Sequence, residues 1–72
     1  MLDKQKVGKA ISEQRKQKGM TQKQLADLLH VSYQAVSRWE QGISLPSVDI
    51  IYHIAQILET TVDSLLSGLK EE

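Results

Sequence analysis

Residues 21–42 read TQKQLADLLHVSYQAVSRWEQG, and the pattern predicts two short helices joined by a tight turn. Leu25, Ala26, Leu28 and Leu29 recur at helical spacing and form the packing set of the first helix; Ala35, Val36 and Trp39 do the same for the second. Thr21 opens the first helix. Gln24 completes a Thr-x-x-Gln capping box with it, in which each side chain satisfies a backbone N–H that the helix start leaves free. Ser32 is suited to cap the second helix, with Val31 before it as an apolar staple. Gly42 stops that helix, as a glycine just past a helix end does. About three residues separate the two helices, the size of turn that joins such a pair in a helix-turn-helix.

These residues carry a family resemblance. Thr21, Gln22, Leu25, Ala26, Val31, Ser32, Ala35, Val36, Ser37, Trp39, Glu40 and Gly42, followed by Pro46, resemble the helix-turn-helix of the phage repressor and Cro type, the XRE family of bacterial regulators. The resemblance runs from about Val7 to Leu66. It implies an all-α, compact five-helix, lambda-repressor-like domain that binds double-stranded DNA and regulates transcription, with repression as the expected role. One residue departs from the pattern. His30 stands where the family's turn most often has glycine, a position that tends to need a left-handed backbone. Histidine is among the non-glycine residues that adopt that conformation more often than average.

Outside this stretch the chain reads as three more helices. The first spans about Lys4 to Lys18, with Val7, Ala10 and Ile11 as its apolar stripe and Gln14 and Lys18 continuing the line. Gly8 inside it costs up to about 1 kcal/mol against alanine. Gly19 ends it, and Met20 tucks toward the core. Pro46, the only proline, keeps Leu45 extended, and Ser47 caps the next helix. That helix, about Val48 to Leu58, is apolar almost all round, so it is expected to be central to the core or covered by a partner. A last helix, about Val62 to Leu66, follows a cap at Thr60 or Thr61, with Gly68 ending it and Leu69 to Glu72 frayed. His53 reads as a surface histidine.

Composition bounds the possibilities. Seventy-two residues make a single domain, residues 1–72 with a core over about 4–68. A domain so small is marginal by itself. Without cysteine it has no disulfide or thiolate metal site, and two histidines alone make a zinc staple improbable. No metal, cofactor or small-molecule ligand is expected. No apolar run approaches the roughly 18 residues of a membrane span, and the opening MLDKQKVGK has no signal-peptide core. A cytoplasmic location is therefore expected. No nucleophile, base and orienting group stand together, so no catalytic residue is assigned.

Net charge is zero, which at first argues against a nucleic-acid partner. Its distribution argues the other way. Residues 1–42 hold eight basic side chains against four acidic ones, a surplus of +4, and residues 43–72 hold one against five, a deficit of −4. Such asymmetry suggests one side facing a polyanion and one turned away.

A recognition helix lies in the major groove with its first residues toward the bases. With Ala35, Val36 and Trp39 inward, the base-reading candidates are Ser32, Tyr33, Gln34, Ser37 and Arg38. A glutamine can bond both N6 and N7 of adenine, and an arginine both O6 and N7 of guanine, so Gln34 and Arg38 carry the strongest chemistry. Gln22, Lys23, Gln41 and Ser44 are the candidates for the DNA backbone. The family resemblance implies the role of Gln22, and the positive end of the helix it starts favours an anion there. The resemblance also implies an ion pair between Arg15 and Glu40, holding the first helix against the recognition helix. Trp39 could instead stack on a single strand, but it shares the packing side with Val36 and no cluster of aromatics supports it. A homodimer on an inverted-repeat operator is expected, at least on DNA. The rival from another class is an antitoxin-like module that keeps the fold and binds protein.

Overall fold

Asp3 caps the first helix. Its carboxylate accepts hydrogen bonds from the backbone N–H groups of Gln5 (2.9 Å) and Lys6 (3.3 Å), and α1 (Lys4–Gln17) grows from that cap. Four more helices follow in this computed structural model: α2 (Gln22–Leu29), α3 (Tyr33–Glu40), α4 (Val48–Ile57) and α5 (Val62–Leu66). The structure describes residues 3–66. The expected stop at Gly68 and the fraying of Leu69 to Glu72 lie outside the described residues.

Local chemistry sets each boundary. Ser47 accepts from the N–H of Ile50 (3.3 Å) and starts α4; Thr61, and not Thr60, accepts from Ser64 (2.9 Å) and starts α5. The end of α4 carries no sequence signal. Glu59 takes the left-handed conformation there (φ 58°), and Thr60 N–H returns to the carbonyl of Ala55 at 2.8 Å.

The core gathers Val7 and Ile11 of α1, Leu25, Ala26 and Leu29 of α2, Val36 and Trp39 of α3, Ile51, Ile54 and Ala55 of α4, Leu58 after it, and Leu65 of α5. Helix α3 packs on both α1 and α2, and α5 closes against α1 and α4. Three sequence expectations change. Leu28 is 54% exposed and does not join the packing set. It lies roughly 100° round the helix from the centre of the Leu25–Ala26–Leu29 stripe. The buried line of α1 is Val7, Gly8, Ile11 and Arg15; Gln14 is half-buried and Lys18 is exposed. Helix α4 is one-sided, because Asp49, Tyr52, His53 and Gln56 are exposed and Val48 projects into solvent from its first turn. Ile54, by contrast, is wholly buried.

Gly8 is the most revealing of these. A Cβ at this position would sit 2.0 Å from the carbonyl oxygen of Trp39. The glycine is therefore no simple cost to helix stability, since it lets the backbones of α1 and α3 touch. Gly42 does related work in the next loop. It has φ 77°, and a Cβ there would lie 3.0 Å from the Cα of Gln5.

Candidate nucleic-acid interface

Helices α2 and α3 are joined by a turn built from local bonds. Thr21 Oγ1 accepts from Gln24 N–H at 3.0 Å, and Gln24 Oε1 accepts from Thr21 N–H at 2.9 Å, so both halves of the capping box are made. His30 takes the left-handed backbone (φ 60°, ψ 40°) at the end of α2. Val31 N–H then reaches back to Ala26 O (3.0 Å), and Ser32 Oγ accepts from Ala35 N–H (3.2 Å) to begin α3.

The inward side of α3 is anchored by more than apolar packing. Arg15 Nε donates to Glu40 Oε2 at 2.7 Å, and a second guanidinium nitrogen donates to Oε1 at 3.0 Å. The third guanidinium nitrogen donates to Met20 O at 2.6 Å. Both side chains are more than nine-tenths buried. Gln22 Nε2 also donates to Glu40 Oε1, at 2.9 Å. One carboxylate thus gathers groups from α1 and from the first residue of α2. A planar guanidinium matched by two parallel bonds fixes orientation as well as distance. The bond from Gln22 spans two helices, and nothing in the local sequence signals it.

The outward side of α3 is different. Tyr33, Gln34 and Arg38 are exposed, and Ser37 is half-buried between them. With Gln41 and Ile43 they line a shallow concavity. Gln41 Nε2 donates to Ser37 Oγ at 2.7 Å, so these two polar ends hold each other. Among the described residues no side-chain hydrogen bond engages Gln34 or Arg38. Ser32 is exposed at the helix start, with its hydroxyl spent on the cap. Ser44 is half-buried in the exit loop. Lys23 is exposed and lies 3.7 Å from Asp27 one turn on. Ile43 was not among the sequence candidates. It lies just past Gly42, where the chain leaves α3.

Among the described residues there is no cluster of three or more side chains suited to a metal ion, and no helix long and apolar enough to cross a membrane.

The family model HTH_3, described as helix-turn-helix, matches residues 11–65. The chain belongs to this helix-turn-helix family. The HTH-type transcriptional activator BcrR of Enterococcus faecalis is 43% identical over 51 residues, which is 71% of this chain and 25% of BcrR. The clp gene regulator ClgR of Corynebacterium glutamicum has a structure that matches with a TM-score of 0.87 and 26% identity, over 94% of this chain and 72% of that one. The P22 c2 repressor, solved in complex with synthetic operator 9T, matches with a TM-score of 0.80 and 29% identity, over 86% of this chain and 94% of the repressor. This helix-turn-helix chain spans 25% to 52% of the length of the first curated relatives it matches. The all-α, five-helix, lambda-repressor-like architecture of the XRE-type helix-turn-helix family is thereby shown, and the relatives named here are transcriptional regulators. Activators and repressors both occur among the relatives.

Proposed function

We propose that this domain binds double-stranded DNA in a sequence-specific way and represses transcription as a dimer on an inverted-repeat operator. The observation that carries the reading is the division of α3. Its inward side is locked to α1 and α2, while Gln34 and Arg38 stand exposed one helical turn apart with no side-chain partner among the described residues. In a major groove these two would read adenine and guanine, with Ser32, Tyr33 and Ser37 beside them. Lys23, Gln41 and Ser44 would meet the DNA backbone. At Gln22 the carboxamide is already held by Glu40, so its backbone N–H and the remaining amide hydrogen would make the phosphate contact. Repression is supported by simplicity, since a domain seated on a promoter blocks it with no further part. A regulator of DNA acts where DNA is, which in a bacterium is the cytoplasm.

The dimer face does not include Ile54, which is core. Val48 and Tyr52, 83% and 55% exposed and one turn apart on α4, support that helix as the place where a second copy packs. Selection of bound sites from a random duplex pool tests the whole reading. The expected product is an inverted repeat with half-sites about 34 Å apart and affinity that falls steeply with salt. Selected sites with no inverted repeat would remove the dimer. Absence of duplex binding even at low salt would leave the protein-interaction module in its place.

A further inference from the structure

The chain turns sharply where it leaves α3. Gly42 N–H donates to Trp39 O at 3.1 Å and Ile43 N–H donates to Arg38 O at 2.9 Å, the paired bonds of a Schellman motif. In that motif the residue at Ile43's place commonly packs an apolar side chain back onto the residue at Arg38's place. Here that residue is an exposed arginine. Ile43 remains 56% exposed and stays outside the hydrophobic core. It instead forms one wall of the concavity otherwise lined by Tyr33, Gln34, Ser37, Arg38 and Gln41. Its backbone is held on both sides, because its carbonyl also accepts from Lys4 Nζ at 3.5 Å. The backbone that carries this β-branched apolar side chain is thus held beside the polar reading groups at a fixed offset from Arg38.

We infer that Ile43 is a specificity-determining residue that contacts a thymine C5-methyl group in the major groove, next to the base pair met by Arg38. The assignment rests on the DNA-binding reading above. The major-groove edge of a base pair offers an apolar group only as that methyl, and an aliphatic side chain held rigidly at the groove is its natural complement. Rigidity matters because a side chain already in place loses little freedom on binding.

The test removes the methyl group alone. Each thymine of the selected duplex is replaced in turn by deoxyuridine, and binding is measured for the wild-type chain and for Ile43→Ala. One position, repeated by symmetry in each half-site, should weaken wild-type binding about fourfold, the value of one methyl withdrawn from water. Ile43→Ala should bind the thymine duplex more weakly and show no further loss at that position. A duplex with no sensitive position overturns the assignment, as does an Ile43→Ala variant as sensitive as wild type at the same position. Either result leaves DNA binding intact, whereas a chain that binds no duplex overturns the functional reading itself. Ile43 is exposed, so circular dichroism should show Ile43→Ala folded as wild type; Ile43→Val, which keeps a branched methyl, should retain part of the sensitivity.

Discussion

The two sides of α3 face opposite demands. On the inward side, Val36 and Trp39 are buried, Glu40 accepts from Arg15 of α1 and Gln22 of α2, and Arg15 also donates to Met20 O between those helices. Among the described residues no buried side-chain nitrogen or oxygen lacks a partner. On the outward side, Gln34 and Arg38 end in solvent. A side chain with internal partners cannot be exchanged freely, because its loss leaves others unsatisfied. One without them can be exchanged at little cost to folding. Under the proposed DNA-binding function, the helix would separate stability from specificity by side, and a different base sequence could be chosen on the outer side with the scaffold unchanged.

The largest effect that would break this division is expected at Arg15. Arg15→Ala leaves Glu40 buried with only Gln22 as a partner, and breaking a buried pair typically costs about 3–5 kcal/mol. Lys16→Ala, at an exposed site on the same helix, should cost below about 1 kcal/mol. Urea unfolding of both variants makes the comparison, and equal small losses would reduce the pair to a surface interaction.

Gly8→Ala comes next. The added methyl would overlap the carbonyl of Trp39, and backbone cannot yield as a side-chain tip can. A loss of about 1–3 kcal/mol or more is expected, although alanine is the better helix former. A gain in stability would mean that α1 and α3 separate without penalty.

Arg38→Ala sharpens the contrast from the other side. Folding should be almost unchanged, while affinity for the preferred site falls by about 1–3 kcal/mol and discrimination relaxes at one base pair. Lys23→Ala should weaken all sequences similarly and lower the salt slope by about one. Titrations against the preferred site and its single-base changes, at two salt concentrations, distinguish the two. A uniform loss for Arg38→Ala would move that residue to phosphate contact.

The smallest effect belongs to the pair that ties the end of α1 to the end of α4. Lys18 Nζ lies 2.5 Å from Glu59 Oε1, and this hydrogen bond, aided by the ammonium charge, holds the Glu59 carboxyl below the usual carboxylate range. A lowered folded-state value means that the stabilisation is present above the unfolded-state value and fades as pH falls through the folded one. Glu59→Gln should therefore be slightly less stable than wild type near neutral pH, with the difference vanishing in acid. Thermal melts of the two chains across that range check the sign. A difference that grows on acidification would contradict it.

What could be read along the chain was whatever is settled within one or two helical turns. The Thr21–Gln24 box, the Ser32 and Ser47 caps and the stop at Gly42 are all contacts between near neighbours, so residue types at fixed spacing were enough to place the helix-turn-helix, while the left-handed His30 was implied by the family resemblance. The inward position of Trp39 and the exposure of Gln34 and Arg38 followed from the same periodicity. Tertiary structure alone decided the rest. The need for a glycine at position 8 depends on a backbone 31 residues away in sequence. The tie from Gln22 to Glu40 depends likewise on how whole helices cross. Spacing along a chain sets which side of a helix a residue occupies; only packing sets what stands opposite it.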